Sequence, residues 1–353
     1  MTTELQRRVG ILGTGWGTRV SVHAFRAAGW EVAGLWSRRP ERAAAEAARL
    51  EIPFATHDAA ELINRAEIDA VAIHTPPHMH LELCRAAFAA GKHVICDKPF
   101  ATNVADARAL LAAAEASECT AMVNFEFRLA PLRLQVASLL AEGAIGDVRH
   151  VSMDVQTTNP LIELERPWRL DPALGGGLLN ELGSHAIDGL RQWFGDLASV
   201  SARLGSFPPA GLEPGLNSED QISASFGFVA GGIATLSMSW VSDPPLGLRI
   251  VIAGSDGVIR ATSSGGMLTD GEVALGRAGE DGFTVVEAPA DQAAAAAGGP
   301  VDASARLIRA FAEGIDAGHS PSPNFVDGLL SQIALDGVRE SAASGRTVEL
   351  ART

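Results

Sequence analysis

The sequence predicts an α/β protein in which an N-terminal doubly wound parallel sheet is followed by an α+β domain with a large, mostly antiparallel open sheet. Three observations predict it. Short β-type runs alternate with Ala-rich helical segments over the first third of the chain. A glycine-rich turn stands between the first strand and the first helix. From Asp147 onward the strands lengthen and take a period of two. At about 150 residues per domain, 353 residues make two domains, each able to bury a core. Alternation stops after Phe125, so the expected domains are residues 1–125 and 126–353.

In the first domain the strand candidates are Val9 to Leu12, Glu31 to Trp36, Ala70 to His74, His93 to Cys96 and Ala121 to Phe125. Between them, Pro40 to Leu50, Leu81 to Ala90 and Val104 to Ser117 carry alanine with Arg and Glu at helical spacing. In the second domain, Val148 to Gln156, Val200 to Leu204, Gln221 to Phe228, Ile233 to Trp240 and Leu248 to Ile252 read as strands separated by Gly and Pro turns. Gly177 to Phe194 reads as an inserted helix. Ala288 to Pro300 is Ala/Gly-rich and expected to be an exposed loop, and Asp302 to Ala317 and Asn324 to Ala343 read as closing helices.

Composition narrows the function. The 28 Lys+Arg against 42 Asp+Glu leave a net charge of −14, which argues against a nucleic-acid partner. The chain has no tyrosine, so mechanisms in which a phenol relays the proton are closed, among them those of the Tyr-Lys short-chain dehydrogenases and the aldo-keto reductases. Cys84, Cys96 and Cys119 are too few and scattered for a disulfide framework or a Cys-x-x-Cys zinc site. The histidines and acids lack ligand spacing, so no metal is expected. Met1 to Arg8 is polar and no stretch approaches the ~18 apolar residues of a membrane span, which makes a soluble cytoplasmic protein the expectation.

The first strand runs into Gly13-Thr14-Gly15-Trp16-Gly17-Thr18. Glycines here let the backbone turn tightly against a pyrophosphate, whose charge the free N–H groups of the following helix hold. The third small residue of the dinucleotide fingerprint falls at Thr18, with a glycine one place early at Gly17. Where an NAD site carries an acid at the end of the second strand, this chain has Trp36-Ser37-Arg38-Arg39. A hydroxyl and two guanidinium groups suit a 2′-phosphate, so NADP is the expected cofactor and NAD the alternative.

The glycine loop is joined by His74-Thr75-Pro76-Pro77-His78-Met79-His80, by Cys96-Asp97-Lys98-Pro99, and by Gly175-Gly176-Gly177 followed by Glu181-Leu182-Gly183-Ser184-His185. This ordered set resembles the glucose-fructose oxidoreductase, inositol dehydrogenase and rhizopine-catabolism (Gfo/Idh/MocA) family of NAD(P)-dependent oxidoreductases over nearly the whole chain. The resemblance implies a Rossmann domain and an α+β domain whose open sheet makes a homodimer or homotetramer. It makes Lys98 the family's catalytic lysine, with Asp97 in place of the usual glutamate. It makes His185 the family histidine, with Glu181 in place of an aspartate. A four-residue helical spacing would let Glu181 orient the His185 imidazole, whose ordinary pKa near 6.5 suits proton transfer. Thr75, Pro76 and His80 match a segment along the nicotinamide half of the cofactor, and Trp168-Arg169 resembles a pair near nicotinamide and substrate. Arg128, Arg169, Asn180 and His185 are the expected substrate residues, whereas His74 and His78 read as ordinary turn histidines.

The expected activity is hydride transfer between NADP and a secondary alcohol or ketone of a sugar, cyclitol or related polyol. The competing readings are a non-catalytic NADP-binding regulator and a redox-assisted glycoside-cleaving enzyme.

Overall fold

The computed structural model describes residues 6–158, 167–207, 215–265, 271–287 and 299–351. Its N-terminal half starts from apolar runs that are buried almost completely, as a parallel sheet between two helix layers requires. The strands are β1 (Arg8–Leu12), β2 (Glu31–Trp36), β3 (Ala55–Thr56), β4 (Ala70–Ile73), β5 (His93–Cys96) and β6 (Ala121–Val123). They pair in parallel in the order β3-β2-β1-β4-β5-β6. Strand order reverses between β1 and β4, and the carboxyl ends at such a reversal form the ligand crevice of a doubly wound sheet.

The helices are α1 (Val22–Ala27), α2 (Pro40–Arg49), α3 (Ala59–Ile63), α4 (His80–Ala89) and α5 (Val104–Glu115). Pro40 opens α2 where a missing N–H costs nothing. The side chains of Asp58 and Asn103 cap α3 and α5 by accepting from the N–H groups of Ala60 and Asp106. Lys92, one of only two lysines in the chain, is walled in, its Nζ donating to the carbonyls of Arg65 (3.0 Å) and Ile68 (2.7 Å).

The second half opens with α6 (Pro131–Ala141), which the sequence reading left without structure, then β7 (Val148–Gln156), α7 (Ser184–Phe194), β8 (Leu197–Gly205), β9 (Gln221–Phe228), β10 (Ile233–Ser239), β11 (Gly247–Gly254), β12 (Gly257–Ser263), β13 (Glu272–Arg277) and β14 (Thr284–Val285). The chain closes with α8 (Gly299–Ala317), α9 (Phe325–Ser344) and β15 (Val348–Glu349). Among the described residues these strands form one sheet, β14-β13-β12-β11-β7-β10-β9-β8-β15, antiparallel except for the β10–β7 pair. On β10 burial alternates from Ile233 to Met238, with Ala234, Leu236 and Met238 buried and Ile233, Thr235 and Ser237 exposed. The opposite face also carries Ser223 and Arg249, so the apolar half of the pattern faces this chain's own core.

Two compact units result. One is Met1–Glu126 with Pro300–Leu329, the other Phe127–Gly299 with Leu330–Thr353. Pro300–Leu329, expected in the second domain, therefore groups with the first. Phe311 on α8 stacks on Trp30 at 6.0 Å, and Phe325 on α9 meets the Phe100 ring edge-on at 4.7 Å. The Val123 amide donates to Pro323 O (2.9 Å), which covers the open edge of β6. Of the expected loop Ala288 to Pro300, residues 288–298 lie outside the described residues.

Candidate functional site

In the first unit the site is built at the carboxyl ends of β1, β4 and β5. Gly13 follows β1 at φ +121°, and a Cβ there would stand 2.2 Å from the His74 carbonyl, so a side chain is excluded twice over. A Cβ on Gly17 would stand 2.8 Å from Ile11 Cγ2. Gly17 is thus the glycine that lets helix and strand pack closely, one place earlier than the fingerprint has it. A π-helical turn spans Gly17–Ser21, and Thr18 Oγ1 donates back to Thr14 O (3.0 Å). Around the loop, Trp16 Nε1, His74 Nε2 and Thr75 Oγ1 are buried with no hydrogen-bond partner among the described residues. A backbone cradle ringed by orphaned polar atoms fits a dinucleotide.

After β2, Ser37 is buried and its Oγ accepts from the Arg39 amide (3.3 Å), whereas Arg38 and Arg39 are exposed. Arg42 on the first turn of α2 reaches the glycine loop itself, Nη2 donating to Thr14 O at 3.4 Å. The sequence reading stopped at Arg39. The available signal was that Arg42 lies one helical turn beyond it.

After β5, Asp97 joins three strand ends. Its Oδ2 lies 3.1 Å from His74 Nδ1, while its Oδ1 accepts from the Lys98 amide (3.0 Å) and Asn124 Nδ2 (3.2 Å). Burial alone would raise the Asp97 carboxyl; the bond to His74, with help from the Lys98 charge and from Asn124, outweighs it and holds the group below the usual aspartate range. Ionisation is therefore favoured by folding. The resulting stability is fully present above the unfolded value near ~3.9 and is lost as pH falls through the lower folded value. In urea denaturation, the stability advantage of wild type over Asp97→Asn is expected to be constant from about pH 7 to pH 5 and to shrink below about pH 4. An advantage that grows on acidification would contradict this.

Lys98 is half-buried at this edge, before Pro99. His80 departs from its expected cofactor role. It is fully buried, Nδ1 lying 3.1 Å from Phe100 O and Nε2 3.0 Å from Thr75 O, so its ring braces the chain beneath the crevice. Burial pushes its pKa below the ordinary histidine value, against the pull of those carbonyls.

In the second unit the Gly175-Gly176-Gly177 run fits where side chains cannot. A Cβ on Gly176 would stand 2.3 Å from Arg169 O, and one on Gly177, at φ +111°, 2.3 Å from Glu219 Oε1. Glu219, not foreseen from sequence, accepts the Leu179 amide on Oε1 (3.1 Å) and the Leu178 amide on its carbonyl (2.9 Å). It thereby holds the start of the π-helical turn Leu179–Gly183 that leads into α7. Burial raises its carboxyl above the usual range.

His185 is buried in the first turn of α7, its ring 4.3 Å from that of Phe127 and its carbonyl accepting from Arg133 Nη2 (2.9 Å). Glu181, expected to orient it, stands in the π turn Leu179–Gly183 that precedes α7, with Oε1 3.3 Å from Arg169 Nε. Arg128, expected at the substrate, makes a buried bidentate pair with Asp188 (2.8 and 2.6 Å). Asn180 is engaged likewise, Nδ2 donating to Gly175 O (2.9 Å) and Oδ1 accepting from Arg339 Nη2 (2.5 Å). The side chain of Trp168 and residues 159–166 lie outside the described residues. Among the described residues there is no cluster of three or more His, Cys, Asp or Glu able to hold a metal, and no helix is long and apolar enough to cross a membrane.

Comparison with known proteins adds the following. Residues 7–125 match the family described as the oxidoreductase family, NAD-binding Rossmann fold, and residues 134–260 match the GFO/IDH/MocA C-terminal domain. An uncharacterised oxidoreductase of Synechocystis is 30% identical over 208 residues, 58% of this chain and 56% of that protein, so the match spans little more than half its length. A D-xylose 1-dehydrogenase (NADP(+)) of Haloferax volcanii is 28% identical over 97% of this chain and 99% of its own. The solved complex of levoglucosan dehydrogenase with NADH and levoglucosan superposes with a TM-score of 0.86 at 24% identity, covering 99% of this chain and 100% of that one, a likeness of fold.

Proposed function

This chain belongs to the GFO/IDH/MocA family of oxidoreductases, and on that premise we propose that it moves hydride between NADP and a secondary alcohol or ketone of a sugar, cyclitol or related polyol. The observation that carries the reading is the crevice at the β1/β4 reversal, where the Gly13 cradle, orphaned polar atoms and Lys98 share one sheet edge. The near full-length likeness to a protein named as an NADP(+)-linked xylose dehydrogenase supports both the sugar class and NADP.

When bound, the nicotinamide supplies or accepts hydride at C4. Main-chain groups from Gly13 to Thr18 hold the pyrophosphate at the helix start, and Thr75 and Pro76 line the nicotinamide side. Ser37, Arg38 and Arg42 take the 2′-phosphate, Arg39 standing beside them. Lys98 hydrogen-bonds and polarises the substrate oxygen, and His185 takes or returns its proton. Arg169, which lies 3.3 Å from Glu181, belongs to the substrate side. With no tyrosine in the chain, the proton has no phenol to travel through. A cytoplasmic homodimer or homotetramer completes the proposal.

Arg42→Ala is expected to weaken NADPH binding by about tenfold or more while changing NADH binding less than about twofold, as for loss of one charge-assisted phosphate contact. Arg38→Asp should reverse the preference. Tighter binding of NADH than NADPH by wild type would sink the NADP assignment. Absence of any A340 change across sugars, cyclitols and polyols with either cofactor would sink the enzymatic one.

A further inference from the structure

We propose that His74 is a ligand to the nicotinamide half of the bound dinucleotide, accepting a ribose hydroxyl on Nε2; this rests on the cofactor reading above. The ring follows β4 and its side chain is 1% exposed. Asp97 is positioned to be its Nδ1 partner, and an ionised carboxylate can only accept. The ring therefore carries its proton on Nδ1, and in the neutral form Nε2 presents a lone pair. That atom is buried with no partner among the described residues. A buried ring nitrogen in this state asks for a ligand or a reason, and its surroundings indicate which ligand.

The ring is fixed beside the glycine loop from two directions. The His74 amide donates to Leu12 O at 2.7 Å, and its carbonyl lies against Gly13, where a Cβ would stand 2.2 Å away. Its Cδ2, bonded to Nε2, is 3.5 Å from where a Cβ on Gly17 would be. The edge carrying the orphaned nitrogen thus adjoins the loop suited to the pyrophosphate. Two further orphaned atoms, Trp16 Nε1 and Thr75 Oγ1, belong to the same loop and strand end. Strand β4 flanks β1 on the side away from β2, whose end carries Ser37 and Arg38. If the adenosine ribose lies toward β2, His74 stands on the opposite half of the crevice, where the second ribose offers hydroxyl donors.

Asp97 makes three bonds at once, to His74, to the Lys98 amide and to Asn124. It ties the ring to the strand end that carries the lysine.

The test separates the two halves of the cofactor. His74→Asn keeps an amide near the Nδ1 position, so Asp97 retains a partner, but it has nothing at Nε2. Dissociation constants are measured for NADPH and NADH by nicotinamide fluorescence, and for 2′,5′-ADP and AMP, which lack the nicotinamide half, by competition. The expected result is an approximately tenfold loss of affinity for the tighter-binding dinucleotide, with its adenosine fragment changed less than about twofold. Unchanged affinity for the dinucleotide overturns the assignment. So does an equal loss for dinucleotide and fragment, which would mean that the loop itself had collapsed. If wild type binds neither dinucleotide, the cofactor reading fails and takes this inference with it; if wild type binds and the variant binds equally, only this inference fails.

Discussion

Lys98→Ala is expected to lower kcat about 10³-fold while NADPH affinity changes only a few-fold. A side chain that polarises the reacting oxygen acts chiefly in the transition state, and positioned acid–base groups contribute about 10²–10⁴. Lys98→Arg should recover little, because a planar guanidinium replaces a compact ammonium. His185→Ala should lose a comparable factor and flatten the pH profile of kcat, since proton transfer then falls to water. Steady-state A340 measurements with the best polyol substrate, together with cofactor titrations, check both. Unchanged turnover in the two variants would remove Lys98 and His185 from the mechanism, and parallel losses of cofactor affinity would reassign Lys98 to binding.

Asp188→Ala is expected to be the most destabilising substitution considered. Asp188 is fully buried and bidentate to Arg128, which is itself buried. Removing one partner strands the other charge, which costs about 3–5 kcal/mol, or a fall in Tm of roughly 10 °C for a domain of this size. The double variant Arg128→Met with Asp188→Leu should lose less than either single removal, since no charge is left stranded. Urea denaturation of Asp188→Ala, Arg128→Met and the double variant measures this. Equal stability of wild type and Asp188→Ala would show the pair to be dispensable. Asp188 lies three residues beyond His185 on α7, so the surviving folded fraction of the single variant should also show reduced kcat.

The parts of the fold that could be read from sequence were those in which one segment fixes its own burial. The β4 run Ala70–Ile73 is apolar at every position and buried at every position, and α2 shows a polar stripe against small alanines. Helix α6 was missed because Leu132, Val136 and Leu139 share its buried surface with Arg133 and Gln135, which blurs the helical period. Grouping α8 with the first unit depends on Phe311 meeting Trp30, a contact 281 positions apart that no local pattern carries.

The site divides in the same way. Gly13, Gly17 and Lys98 stand where strand ends put them, and strand ends are legible. His74 looked like a turn residue because its partner Asp97 is 23 residues away, on the next strand. Glu181 was assigned to His185 from an i,i+4 spacing that presumes a regular helix. The π turn of Leu179–Gly183 stands in place of a regular helix there, and the spacing carries no sign of the Arg169 guanidinium 3.3 Å from the carboxylate. Arg128 and Asn180 have partners that no local pattern carries, Asp188 for the first and Arg339 for the second.

The pairing of Lys92 with two backbone carbonyls has a practical side. A basic residue complement of 28 includes only two lysines, and with Lys92 walled in by two carbonyls the two side-chain amines of the chain stand in unlike surroundings. Isotope-labelled methyl groups placed on these amines by reductive methylation would give two distinguishable signals from this sequence, one from the wall of the Rossmann sheet and one from the atom where substrate oxygen is proposed to bind.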